Sequence, residues 1–187
     1  MAKIEPKEAF MTAEAFLQAC ALVDKAARRG EFVTTAVMAT LEAFTLELHL
    51  KCLILLEEGL QKRGHDIFTL FKVLSPKTRA ELTKAFEEYV AKWPSFVAEA
   101  KRKKYPTDLE GLLIRGRHAF EDFRYSHESL KEGNKTVWGL KGLTLLIRER
   151  ILKAKPEWEE ALLNEFLKFL DPIPRLSKNR TSRRFRC

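Results

Sequence analysis

Charged residues set inside apolar helical runs are where chemistry is most economically sought, because burying a charge demands a partner. Glu47 and Lys51 stand four apart, acid before base, in the run Leu46-Glu47-Leu48-His49-Leu50-Lys51-Cys52-Leu53. That order and spacing suit a helical ion pair, which is either a structural network or one wall of a site. Arg124, Tyr125, His127 and Glu128 form a second group, with Arg124 and Glu128 again four apart. An arginine to steady a phosphorane and a histidine to take a hydroxyl proton are what metal-free phosphodiester cleavage requires, and Arg124 and His127 are the candidates for those roles. His65-Asp66 is a third group. It reads as an acid–base pair or, more simply, as a helix start with Asp66 serving the first turn.

The remaining candidates have simpler readings. His49 and Cys52 are three apart on a helix, yet no second pair with ligand spacing accompanies them, so a buried histidine and cysteine are expected there. His118 reads as a surface residue. Tyr105, Trp93 and Trp158 could stack bases, but filling a core is the default for the two tryptophans. Gly133-Asn134-Lys135-Thr136 lacks the preceding glycine of a phosphate loop, and no pair of helical histidines flanks an acid. No cofactor and no metal site is expected.

Helices must position these groups. Phe10, Ala13, Phe16, Leu17, Cys20 and Val23 keep a helical apolar spacing that ends in Arg28-Arg29-Gly30, a basic last turn with a glycine stop. A second helix spans about 34–58 and closes at Gly59; being apolar on nearly every side, it should be the central one. Residues 65–71 predict a brief helical turn docking Ile67, Leu70 and Phe71. Ser75-Pro76 reads as an N-cap followed by proline at the first helical position, opening a helix with Leu82, Phe86, Tyr89 and Trp93 as its stripe. Pro94 must interrupt it. After Tyr105-Pro106 the spacing predicts one helix over 108–130. Its apolar stripe is Leu109, Leu113, Gly116, Phe120, Phe123 and finally His127, with Arg117, Glu121, Arg124 and Glu128 in a row beside it. Gly133-Asn134 marks a turn, and two closing helices follow over about 137–152 and 156–170. Nothing reads as a strand. The expectation is an all-α bundle of five to six helices over residues 1–170, with a basic tail over 171–187.

The chain has 187 residues and is 45% hydrophobic, enough for a sizeable core and too apolar for a disordered chain. Its apolar run at 46–56 is too short for a membrane span and contains Glu47, His49 and Lys51. The net charge of +8 is concentrated at the end, where Arg175, Lys178, Arg180, Arg183, Arg184 and Arg186 face Asp171 alone. With the run Lys101-Arg102-Lys103-Lys104, the tail could grip phosphates without reading sequence; solvated helix ends are the simpler account of such runs. Three widely spaced cysteines and an N-terminus without an apolar leader region point to a cytoplasmic protein.

Glu47-x-x-x-Lys51 on the central helix, Gly64-His65-Asp66 in the turn, and Arg124-Tyr125-x-x-Glu128 later occur in the order seen in HEPN (higher eukaryotes and prokaryotes nucleotide-binding) proteins. Over about 34–128 the chain resembles an uncharacterised bacterial group of that family. The resemblance implies a helical bundle, a homodimer, and binding of RNA or a nucleotide, in toxin–antitoxin or phage-defence settings with an antitoxin-like protein partner. On this reading Glu47, Lys51, His65, Asp66, Arg124, Tyr125 and Glu128 line the site. The family's active ribonucleases carry an arginine followed after four to six residues by histidine. That pattern is absent here, since Arg124 and His127 are separated by two residues. The expectation is therefore binding without efficient catalysis. The alternatives are a weak metal-independent ribonuclease acting through Arg124 and His127, and a structural or partner-binding bundle with a buried ionic network.

Overall fold

The computed structural model describes residues 5–31, 35–124 and 139–170, and within these the chain is all-α. Five longer helices, α1 (Pro6–Arg28), α2 (Thr35–Glu58), α4 (Pro76–Ala91), α8 (Leu140–Ala154) and α9 (Glu157–Leu170), carry most of the packing. Between them lie four short helices: α3 (Ile67–Val73), α5 (Pro94–Arg102), α6 (Leu109–Arg115) and α7 (Ala119–Arg124). The five or six expected helices are thus nine helical segments among the described residues.

The central position of α2 follows from its composition. Ala39, Ala43, Leu46, Leu50, Cys52, Leu53 and Ile54 are all buried, on faces all around the helix. α1, α3, α7 and α8 pack around it. Each fully buried leucine or isoleucine contributes roughly 1.5–3 kcal/mol, so α2 is the main source of cohesion. The expected stops hold: Gly30 and Gly59, at φ of 79° and 64°, follow the ends of α1 and α2. Ser75 caps α4 by accepting from the Thr78 amide, and Pro76 opens the helix. α8 approaches α4 closely because Gly142 has no side chain; a Cβ there would collide with the Tyr89 ring.

Two expectations need correction. Trp93 does not complete the α4 stripe: α4 ends at Ala91, the chain turns into α5 at Pro94, and Trp93 is left 54% exposed. Trp158 does fill the core, against Phe10. The single helix expected over 108–130 is broken. Gly116 terminates α6, residues 117–118 form a turn, and α7 restarts at Ala119. A glycine inside a helical pattern is tolerated on average, but here it serves as the C-cap. The stripe from Leu109 to Phe123 is therefore not one continuous face, and Arg117 leaves the row shared with Glu121 and Arg124. No helix among the described residues is long and apolar enough to cross a membrane.

Candidate functional site

The site is built around Glu47, whose side chain is 0% exposed. One turn on, Lys51 places its ammonium 2.6 Å from Glu47 Oε1. From the loop before α3, His65 brings Nδ1 to 3.0 and 2.9 Å from the two carboxylate oxygens. A carboxylate only accepts, so Nδ1 carries a hydrogen and donates to both oxygens. The imidazole is thereby oriented, with its side chain 40% exposed. Its Nε2 has no hydrogen-bond partner among the described residues and can meet a ligand oxygen, as an acceptor when neutral and as a donor when protonated.

Aromatic rings set the other wall. His65 packs on Phe120 of α7 at 5.2 Å between centroids; Phe120 stacks on Phe44 of α2 at 4.7 Å; and Phe44 meets Phe16 of α1 edge-on, also at 4.7 Å. The guanidinium of Arg124 lies 5.8 Å from the Phe120 centroid. A row of contacts therefore leads from Arg124 through Phe120 and His65 to Glu47, linking stretches that the sequence separates by more than seventy residues.

Asp66 fixes the entrance of α3. Its carboxylate accepts from the Thr69 amide at 3.0 Å, the expected N-cap, and also from Arg117 Nε at 3.0 Å. Burial pushes the Asp66 carboxyl up, but the bonds from Arg117 and Thr69 outweigh it and hold it below the ordinary value. The Ile67 amide donates to the Arg117 carbonyl at 3.0 Å. The turn after Gly116 is thus tied to the segment carrying His65 by side chain and backbone together. Arg117 was read from the sequence only as part of a helical row, and the break at Gly116 is what frees it to reach Asp66.

Glu47, Lys51, His65, Asp66 and Arg124 are thus gathered at one rim of α2, α3 and α7. Tyr125, His127 and Glu128 lie outside the described residues, as does the tail over 171–187. His118 is exposed and stands 3.5 Å from Glu121. Among the described residues no group of three or more histidine, cysteine, aspartate or glutamate side chains is placed to hold a metal ion. His49 and Cys52 are both buried, and burial pushes the Cys52 thiol up to about 12, so Cys52 is no nucleophile.

A second polar group was not anticipated. Glu14 of α1, His49 of α2 and Arg148 of α8 meet inside the bundle. His49 Nε2 is 3.0 Å from Glu14 Oε1, and Arg148 Nε is 2.9 Å from both Glu14 oxygens. His49 Nδ1 is 3.0 Å from the Thr45 carbonyl. Burial pushes the Glu14 carboxyl up, but hydrogen bonds from His49 and Arg148 bring it below its ordinary value. Both His49 nitrogens are engaged by oxygens of the bundle, Nε2 by Glu14 and Nδ1 by the Thr45 carbonyl, so neither is left for another partner. Glu14 was discoverable in the sequence, since it falls within the stripe of Phe10, Ala13 and Leu17.

No protein-family model matches the chain, and no curated protein or solved structure is significantly similar to it.

Proposed function

We propose that this is a HEPN-like helical protein that binds RNA or a nucleotide at the rim of α2, α3 and α7. The observation that carries the reading is the oriented His65. A buried carboxylate holds its Nδ1, an aromatic ring supports its face, and Nε2 has no partner among the described residues, while Arg124 lies against the same Phe120 ring. Phosphate oxygens are strong acceptors, and a protonated imidazole with nearby guanidinium and ammonium groups is suited to receive them. Basic residues over 175–186 would add a grip that does not depend on base sequence. A homodimer, an antitoxin-like partner and a defence role belong to the same reading and rest on the resemblance; the cytoplasmic location rests on the cysteine usage and the N-terminal composition.

The test is filter retention of labelled single-stranded RNA at low salt. Wild-type protein should retain it, with retention falling as salt rises. Arg124→Ala and His65→Gln should each weaken retention by about tenfold or more, a loss of about 1.4 kcal/mol. Removal of residues 175–187 should lower affinity alike for all RNA sequences. An absence of retention at low salt ends the reading.

One observation favours a second reading. Both oxygens of Glu47 are engaged by its own protein neighbours, and the carboxylate is fully buried. A purely structural role for the network predicts that its variants lose stability while RNA retention is unaltered.

A further inference from the structure

Between the first half of α1 and the middle of α9 runs an open groove of about 900 Å³. Met11 and Ala15 of α1 and Ala161 and Leu162 of α9 give it an apolar floor, with Met11 and Leu162 half-buried. Carboxylates stand along it, Glu5 and Glu8 on the α1 wall and Glu165 on the α9 wall, with Lys7 as a cation on the same rim. Glu14 also reaches the groove, but its charge is spent on His49 and Arg148. Glu5 and Glu8 are exposed and make no ion pair among the described residues. An apolar strip bordered by unneutralised carboxylates is complementary to a segment that is apolar along one edge and cationic along the next.

The chain carries such a segment immediately after the helix that lines the groove. In Pro172-Ile173-Pro174-Arg175-Leu176-Ser177-Lys178-Asn179-Arg180 the two prolines disfavour a continuation of α9 and favour polyproline II backbone, which repeats every three residues. At that period Ile173 and Leu176 share one edge, and Arg175 and Lys178 share the next. Attachment adds to the match. α9 ends at Leu170, and its groove residues 161–165 lie roughly 8–14 Å back along the helix. Residues 171–180 can extend over roughly 33–36 Å, so their length suffices. A short tether holds the segment at an effective concentration on the order of millimolar, so weak contacts are enough to seat it. A separate protein with the same pattern would have no such advantage.

We infer that the groove between α1 and α9 is the docking site of this chain's own segment 173–180, with Ile173 and Leu176 on the floor and Arg175 and Lys178 against Glu5 and Glu8. Arg183, Arg184 and Arg186 follow the docked stretch and stay available to phosphates. The inference is independent of the RNA reading, because it uses none of the residues at the Glu47 rim and its test contains no RNA.

The experiment uses the full chain labelled with ¹³C-methyl methionine. Met11 is one of three methionines, and its methyl signal is assigned by its loss in Met11→Leu. The expected result is that Leu176→Ser and the double change Arg175→Gln/Lys178→Gln move the Met11 methyl in the same direction, whereas Arg183→Gln/Arg184→Gln leaves it in place. A peptide of residues 171–180 added to the Leu176→Ser chain should return the signal saturably to its wild-type position, and should no longer shift it when Glu5→Gln/Glu8→Gln is also present. A Met11 signal indifferent to both variants of the segment overturns the inference. So does a signal moved by Leu176→Ser alone, which removes the charge match, or moved equally by the distal arginines, which makes the attraction unspecific. A wild-type signal that drifts to the variant position on dilution also overturns it, because the groove then holds the tail of a second copy.

Discussion

The molecule contains the same chemical pair twice, and the two copies are built for opposite ends. In each, a glutamate with little or no exposure accepts from a histidine and from a basic side chain: Glu47 with His65 and Lys51, Glu14 with His49 and Arg148. At the first, the histidine is 40% exposed and one nitrogen is open. At the second, the histidine is 0% exposed and its other nitrogen is spent on the Thr45 carbonyl. The inner pair joins α1, α2 and α8 and has no unspent hydrogen-bonding capacity on its imidazole. The outer pair aims an imidazole at solvent. A buried polar network that closes on itself specifies packing, whereas one that ends at the surface can offer an atom to a ligand.

The largest expected effect follows from removing the inner carboxylate. Glu14→Ala strands a fully buried histidine and an arginine, and should cost about 3–5 kcal/mol. Glu47→Ala strands Lys51 and His65, both of which reach water, and should cost less, about 1–3 kcal/mol. Urea denaturation of the two variants measures the gap. A larger loss from Glu47→Ala would reverse the assignment of the two pairs.

Acid should separate the pairs next. The folded-state pKa of Glu14 lies below its ordinary value of 4.5. Its ionised form is therefore favoured by folding, and its contribution is fully present above that value and drains away as pH falls through the lower folded one. Denaturation midpoints of wild type should fall in that acid window. Glu14→Gln should be less stable at neutral pH and lose less on acidification, because it has no carboxylate to protonate there. A parallel fall in both proteins would mean that Glu14 carries none of the acid sensitivity.

How much of this could be read in the chain depends on sequence distance. The Glu47–Lys51 pair was legible because both residues lie on one turn of one helix, and the Asp66 cap because capping is local. That His65 would reach Glu47 is a tertiary fact eighteen residues wide, which only the resemblance suggested. Glu14 and Arg148 are 134 residues apart, and nothing in either stretch alone names the other as its partner. The break at Gly116 was missed because apolar spacing continues across it. What the pattern hid was the Arg117 bonds to Asp66 and Ile67, and these are what hold the turn open.

The two histidines offer a sharper contrast than the two glutamates. His65→Gln should change stability by under about 1 kcal/mol, since the ring is partly exposed and its ion pair is screened. The same change should still weaken RNA retention. His49→Gln should do the reverse, lowering stability through a buried network and leaving RNA retention unaltered in the protein that remains folded. If both variants change stability alone, the outer pair is structural as well, and the second reading of the Glu47 network prevails.

The most local effect concerns Asp66, which sets how His65 leaves its backbone. Asp66 joins the Thr69 amide to Arg117, and so sets where α3 begins and how the His65 ring leaves the backbone. Asp66→Ala should remove about 0.5–2 kcal/mol as a lost cap. Asp66→Asn keeps an oxygen for the Thr69 amide and gives up the charge facing Arg117, so it should restore most of that stability. If the cap is all that matters, RNA retention returns with it in Asp66→Asn. If the tie to Arg117 also positions the histidine, retention stays low while stability recovers. Retention depends on His65 orientation and the melting midpoint on the cap, so retention should be lost without stability only at the outer pair; the inner pair has no open nitrogen to misaim.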